Sequence, residues 1–295
     1  MTNDAIAALA NAAAAQTDHT KAPDTTEYER EVAAPGKGLM RFREYIELGK
    51  HPNATAAFPN KAPSRKARFI FELVTPRHIQ TFKKEDGTEV KVPHVLGVTL
   101  AMPDTGKPAH PKSAYAKLFA KLNYDGTLQH PAQALGRGYV VDIIPGYDKD
   151  DVVNGKPKEG AKPKYANIKD ADGSFTISRP SIQDPLSGDT KEIPVPELMN
   201  ELKIFLYDNP TVPTWDSIYI EGTYQKDGKD VSKNWIQETI MKALDFEGSK
   251  LHQLLSTGDS AALDGLPTGN QPAAQPVNQP PVQQPVNDPL AGFGL

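Results

Sequence analysis

The stretch RFREYIEL at residues 41–48 alternates strictly: Arg41, Arg43 and Tyr45 fall on one side, Phe42, Glu44 and Ile46 on the other. Successive side chains of an extended strand point to opposite faces, so a period of two demands a strand with one face turned to a core. KARFIFELVT (66–75) repeats the pattern before turning apolar, with Lys66, Arg68, Ile70 and Glu72 opposed to Ala67, Phe69, Phe71 and Leu73. Phe69 and Phe71 are therefore expected inside, and Arg41, Arg43, Tyr45, Lys66 and Arg68 on an exposed face.

HVLGVTLAM (94–102) reads as a third strand, set off from the first two by Pro, Gly and Asn clusters. PKSAYAKLFAKLNY (111–124) then carries Tyr115, Leu118, Phe119 and Leu122 at helical spacing, with Pro111 near its start. RGYVVDIIPGY (137–147) is a buried strand, and YANIKD (165–170) and GSFTISRP (173–180) return to strand after a long loop. Three strands, a helix and two strands is the order of the OB-fold, a five-stranded Greek-key barrel. The expected fold class is mainly β with helices. A barrel of this type spans 36–184, a C-terminal α/β extension over 185–258 packs on it, and the termini at 1–35 and 259–295 are disordered. Within the extension, PVPELMNELKIFLYDNP (194–210) reads as helical and residues 215–237 as strand around a KDGK turn. NWIQETIMKALDFEGSKLHQLL (234–255) reads as one amphipathic helix, with Ile236, Ile240 and Leu244 four apart and Trp235 and Met241 extending that face.

Hydrophobic residues make up 38% of the 295, against 27 Pro and 22 Gly, so part of the chain is not expected to pack. AIAALANAAAA near the start forms a short helix by propensity alone. The charge is uneven. Of the total of −4, residues 1–35 carry −4 and 259–295 carry −3, which leaves 36–258 at +3. Between 41 and 91, eleven Lys and Arg face six Asp and Glu, interleaved with Phe42, Tyr45, Phe58, Phe69, Phe71 and Phe82. Cations interleaved with aromatics are what a phosphate backbone and unpaired bases require.

The chain contains no cysteine, which excludes disulfides, thiolate zinc sites and cysteine nucleophiles. It shows neither a secretory leader nor a run of the ~20 apolar residues that a membrane span needs, so a soluble intracellular protein is expected. No phosphate-cradling, dinucleotide or hydrolase motif is present, and in TGKPAH and NGKPKEG a proline follows the lysine where a helix would have to begin. Neither catalytic residues nor a cofactor or metal are expected. Asp148, Asp150 and Asp151 read as a solvated turn, and His51, His78, His94, His110 and His130 as loop or surface histidines. In the loop DKDDVVNGKPKEGAKPK (148–164), Lys156, Lys158, Lys162 and Lys164 are candidate phosphate contacts, with Tyr147 and Tyr165 at its ends as stacking partners.

Taken together, MRFREYIELGKH, ARFIFELVTP, GYVVDIIPGY and NWIQETIMKALDFEGSKLHQLL resemble bacteriophage single-stranded DNA-binding proteins of the OB-fold type, over roughly residues 38–256. The resemblance implies a non-enzymatic factor of DNA replication, recombination and repair in the cytoplasm of an infected bacterial host. Such a factor coats single-stranded DNA without reading its sequence and uses a flexible C-terminal tail to recruit replication or recombination proteins. One departure stands out: such tails end in a cluster of acids, whereas the last eighteen residues here, NQPPVQQPVNDPLAGFGL, hold Asp288 alone. An apolar hook built from Asp288, Phe293 and Leu295 on an extended proline-rich tether is the tail function that remains. Two other classes stay open. One is a virion or assembly protein that uses the β-domain as a scaffold, and the other is a nucleic-acid enzyme or accessory subunit in which Asp148, Asp150 and Asp151 hold Mg²⁺.

Overall fold

The computed structural model describes residues 31–54, 58–83, 87–184, 186–226 and 228–257. The expected disordered arm ends earlier than residue 35, since residues 31–35 are described and Ala33 is buried in the core; the rest of the arm with its alanine-rich helix, and the tail with Asp288, Phe293 and Leu295, lie outside the described residues.

The protein is mainly β. Its frame is the long strand β1 (Gly36–His51), which pairs antiparallel with β2 (Ser64–Leu73) along most of its length. A hairpin of β3 (Ile79–Lys83) and β4 (Glu89–Pro93) follows, and β5 (Val95–Ala101) then returns antiparallel to β2. Helix α1 (Ala114–Leu122) starts where the Ser113 hydroxyl accepts the Ala116 amide at 3.1 Å, and it buries Tyr115, Leu118 and Leu122. β6 (Gly138–Gly146) lies antiparallel to the first residues of β1.

Past β6, a short hairpin of β7 (Val152–Val153) and β8 (Lys156–Pro157) leads into β9 (Tyr165–Asn167) and β10 (Ile177–Ser178), which both pair with β6. The result is an antiparallel sheet in the order β10-β6-β1-β2-β5, curled into a half-barrel. Its two edges, β5 and β10, are not hydrogen-bonded to each other among the described residues, and α1 packs against both. The interior holds Met40, Phe42, Tyr45, Phe69, Phe71, Leu118, Leu122 and Tyr139, all essentially without solvent contact. Each such side chain contributes roughly 1.5–3 kcal/mol of burial.

Two bulges shape β1. The register with β2 slips between Phe42 and Glu44 and again between Glu47 and Gly49, leaving Arg43 and Leu48 as extra residues. An extra residue bends the strand and reverses which face later side chains occupy. That is why Tyr45 follows Phe42 into the interior instead of sharing a face with Arg41. Gly49 sits at φ +79, and a Cβ there would meet Ala243 and Tyr207 within 2.7 Å, so only glycine fits.

The C-terminal part begins with the hairpin β11 (Ser181–Gln183) and β12 (Thr190–Glu192), whose neighbours Ile193 and Val195 cover Leu39 and Val140 on the outside of the sheet. The helix expected over 194–210 does not form. Pro194 and Pro196 open the stretch, and the backbone runs extended across the sheet before β13 (Lys203–Phe205) pairs parallel with Glu44–Ile46 of β1. Helix α2 (Val212–Ser217) and the hairpin β14 (Thr223–Lys226) and β15 (Lys229–Ser232) lead to α3 (Trp235–Met241) and α4 (Lys250–Thr257). The single helix expected over 234–255 is therefore two, broken at Lys242–Ser249. Ile236, Ile240, Ala243, Leu251 and Leu254 pack with Phe205, Tyr207 and Trp215 on Ile46 and Leu48 of β1, while Trp235, Met241 and Leu244 stay 39–59% exposed. No helix among the described residues is long and apolar enough to cross a membrane.

Candidate nucleic-acid interface

On the outer face of the half-barrel, Arg68 of β2 is register partner to Ile46 of β1 on one side and Thr99 of β5 on the other. Ile46 lies beneath the C-terminal elements, and α3 docks there through Ile236 and Ile240. Gln237 fixes the helix by donating from Nε2 to the Trp215 carbonyl at 2.8 Å. Trp235 precedes this buried face by one residue and so lies at its rim, where the Arg68 guanidinium stacks over the indole at 4.7 Å. Across the sheet, a Cβ at Gly97 would stand 3.1 Å from the guanidinium, so glycine at that position lets Arg68 lie along β5. Burial holds the Arg68 guanidinium below its ordinary pKa range, with Glu44 working in the opposite direction. Its Nε is buried and makes no hydrogen bond among the described residues. Gly97, Thr99 and Ala101 leave an exposed, small-residue floor beside it, and Lys66 flanks it two residues away with its Nζ donating to the Pro52 carbonyl at 3.3 Å. This is a cationic and aromatic platform on an open sheet face, a surface on which a base can stack and a phosphate can pair.

The other residues read from the first alternation go elsewhere. Tyr45 is in the core, its ring edge-on to Phe69 at 5.3 Å, its hydroxyl 3.4 Å from the Tyr115 hydroxyl and donating to Glu47 Oε1 at 3.4 Å; burial pushes its pKa upward. Arg41 is spent on structure. It donates from Nε to the Pro196 carbonyl at 2.6 Å and from Nη1 to Gly136 at 2.7 Å, while Nη2 serves Val195 at 2.7 Å and Glu197 at 2.8 Å. Arg43 sits between the carboxylates of Glu44 and Glu72, the latter at 3.3 Å. Glu72, fully buried, also accepts from the Met199 amide and the Asn200 side chain, both at 2.6 Å. Arg41, Arg43 and Glu72 thus clamp the extended strap 193–202 onto the sheet, and neither arginine is available to a ligand there.

The loop after β6 forms a second basic surface. Asn154 (φ 51) and Gly155 (φ 75) make the two-residue turn of the β7–β8 hairpin, the Asn-Gly pair that such left-handed turns favour. Lys156, Lys158, Lys162 and Lys164 are all exposed. Tyr165, 48% exposed, lies on Gly146 so closely that any Cβ there would enter its ring, and its hydroxyl donates to the Tyr147 carbonyl at 3.1 Å; Tyr147 is half-buried. The loop's lysines and Tyr165 therefore share one surface, but not the Arg68 surface. The loop leaves β6 beside Gly36 of β1, whereas Arg68 pairs with Ile46, ten strand residues or roughly 33 Å away.

Asp148, Asp150 and Asp151 surround a single 3₁₀ turn, and among the described residues no group of three His, Asp or Glu side chains stands close enough to hold a metal ion. Two histidines expected in loops are buried. His78 donates from Nε2 to the Ala34 carbonyl at 3.1 Å, its own carbonyl accepts the His94 amide, and His94 is 8% exposed.

Trp235 and Gly97 belong to the platform yet carry no signal of it in the sequence. Trp235 reads as part of an apolar helix face, and only its offset of one residue from Ile236 and Ile240 marks it as rim. Neither a family model, nor a curated protein, nor a solved structure matches the chain.

Proposed function

We propose that the protein binds single-stranded DNA without sequence preference, and that its half-barrel is an OB-fold in which β1, β2, β5, β6 and the β9–β10 pair take the five barrel positions. What supports the fold assignment is the pairing of one long bent strand with both β2 and β6, and a helix between the third and fourth strands that caps the two open edges. The observation that carries the binding reading is the half-exposed Trp235 under Arg68 on the outer face of β2 and β5. Aromatic faces stack on any base, and cations pair with any phosphate, so binding of this kind is tolerant of sequence and steeply dependent on salt. The loop lysines, roughly 33 Å along the sheet, hold a second stretch of the same strand. A run of about 4–16 nucleotides is the usual footprint of one such barrel. The Pro/Gln-rich stretch with Asp288, Phe293 and Leu295 recruits replication or recombination proteins; that assignment rests on its composition.

The test is fluorescence anisotropy of a labelled oligo(dT) of about 30 nucleotides, two footprints of that size, at two salt concentrations with an equal-length duplex as control. Tight single-strand binding that weakens steeply with salt is expected, with duplex binding much weaker. No binding at low salt refutes the proposal and leaves the protein scaffold as the reading to pursue.

A further inference from the structure

The strands β14 and β15 pair only with each other among the described residues, from Thr223 opposite Ser232 to Lys226 opposite Lys229. A two-stranded ribbon on its own is marginal in water, so its base has to be held by something else. Asn234, the residue before α3, does this. Its Oδ1 accepts the Ile220 amide at 3.3 Å and its Nδ2 donates to Gln237 Oε1 at 2.8 Å, while the Lys233 amide donates to the Gly222 carbonyl at 2.9 Å. The base of the ribbon is thereby fixed to the helix that carries Trp235, with Lys233 two residues before the indole.

Register and period two sort the ribbon's side chains, because directly opposed residues share a face. Tyr224, Lys229, Val231 and Lys233 fall on one face, and Thr223, Gln225, Asp230 and Ser232 on the other. Two contacts agree with this sorting: Gln225 donates from Nε2 to Asp230 on the second face, and a Cβ at Gly222 would meet the Lys233 side chain at 3.6 Å on the first. Asp230 therefore points away from Lys229 and Lys233. Both lysines are exposed, neither is ion-paired among the described residues, and Tyr224 is 45% exposed. Four strand residues, about 13 Å, separate the lysines, and Tyr224, opposite Val231, lies midway between them. An aromatic face between two unpaired cations suits a base and the phosphates on either side of it. A duplex keeps its base faces stacked and offers Tyr224 none, whereas a single strand offers both partners. We infer that the β14–β15 ribbon is a finger that grips single-stranded DNA beside the Arg68–Trp235 platform, with a base stacked on Tyr224 and flanking phosphates paired to Lys229 and Lys233. The inference rests on the proposed single-strand binding and adds to it a site outside the barrel, in the C-terminal part.

The experiment is anisotropy of labelled oligo(dT) with the full chain at three or more salt concentrations. Tyr224→Val keeps a good strand former but removes the ring, and Tyr224→Phe keeps the ring. The Val variant should raise Kd roughly 5- to 150-fold, the range for one lost base stack, with the salt slope unchanged, and the Phe variant should stay within about twofold of wild type. Lys229→Gln with Lys233→Gln should flatten the slope of log K against log salt by about 1.4, two single-strand phosphates at about 0.7 each. Adding Thr223→Lys to that pair returns one positive charge on the opposite face and should leave the slope flattened. A Kd for Tyr224→Val within about twofold of wild type, well short of one lost stack, overturns the inference. So does an unchanged slope in the double lysine variant, or a slope that Thr223→Lys restores, since net charge and not the ribbon's face would then explain it. These outcomes leave wild-type oligo(dT) binding in place and remove the finger alone, whereas no wild-type binding at low salt removes the single-strand proposal and the finger with it.

Discussion

Replacing Trp235 with alanine separates a binding surface from a structural prop. The indole is 39% exposed and lies outside the cluster formed by Ile236, Ile240 and Leu251, so its removal opens no cavity in that core. The stability at stake is mainly the Arg68 stack at 4.7 Å, worth about 0.5–2 kcal/mol for a partly desolvated pair, and a domain of this size should lose only a few degrees in Tm. Binding should suffer more. One lost base stack removes ~1–3 kcal/mol, roughly a 5- to 150-fold rise in Kd for oligo(dT). The salt dependence separates the two partners. Trp235→Ala removes no phosphate contact and should leave the slope of log K against log salt unchanged, whereas Arg68→Ala should flatten it by about 0.7, the increment for one phosphate on a single strand. Both measurements come from the same anisotropy titrations at three or more salt concentrations, with a thermal melt for each variant. If Trp235→Ala lowers Tm but binds oligo(dT) within about twofold of wild type, well short of one lost stack, the platform is structural and the reasoning fails.

Three further outcomes follow from contacts already described. Glu72→Ala should destabilise by roughly 1–3 kcal/mol in urea unfolding, because it leaves the Met199 amide and the Asn200 side chain without their buried acceptor and Arg43 with Glu44 alone, while Glu72→Gln should lose clearly less; equal losses would contradict the clamp. Asp125 receives both oxygens' hydrogen bonds from Arg137 Nη1, at 3.0 and 2.9 Å, and these together with Thr127 hold its carboxyl down at about 2. Because that folded value lies below the ordinary ~3.9, the stabilisation is present above about pH 4 and disappears as pH falls towards 2. A carboxyl NMR titration should show the low value, and Arg137→Ala should return it to the ordinary range; an ordinary value in the unmodified protein refutes the contact. Gly146→Ala should push the Tyr165 ring off β6 and loosen the adjoining loop, read as faster trypsin cleavage after Lys158 and Lys164, and unchanged cleavage would show that the ring does not anchor it.

How far the sequence reaches is clear at β1 and β2. The alternation of β2 carries no bulge that flips its faces, so Phe69 and Phe71 inside and Lys66 and Arg68 outside follow from period two alone. The same rule misplaces Tyr45, because Arg43 and Leu48 are inserted against β2 and no local residue pattern marks where a strand will slip against its partner. Arg41 and Arg43 look like surface cations until the strap at 193–202 arrives from about 150 residues away, an event invisible to any window-based reading. The misread helix at 194–210 has the same origin. Its leucines and glutamates favour a helix, but two prolines at its start and a vacant stretch of β1 edge turn it into strap and strand. The mainly β character and the order of the sheet strands and α1 were legible because each rests on local periodicity, whereas the β3–β4 hairpin between the second and third expected strands was not read. Trp235 against Arg68 depends on where separate elements meet.

β1 is the one strand among the described residues that contributes to all three apolar clusters: Met40, Phe42 and Tyr45 to the barrel, Ile46 and Leu48 to the C-terminal cluster, and Leu39 to the patch under Ile193. On a ribosome adding ~5–20 residues per second, Phe205 emerges about 8–30 s after Ile46, and until then the far edge and outer face of the barrel's first strand have no partner. So long a wait for a parallel, distant pairing makes for slow folding and a dangerous nascent chain. A truncation before β13 should therefore not yield a smaller stable barrel. It should yield a sticky one, held open along the strand that the whole protein is built to close.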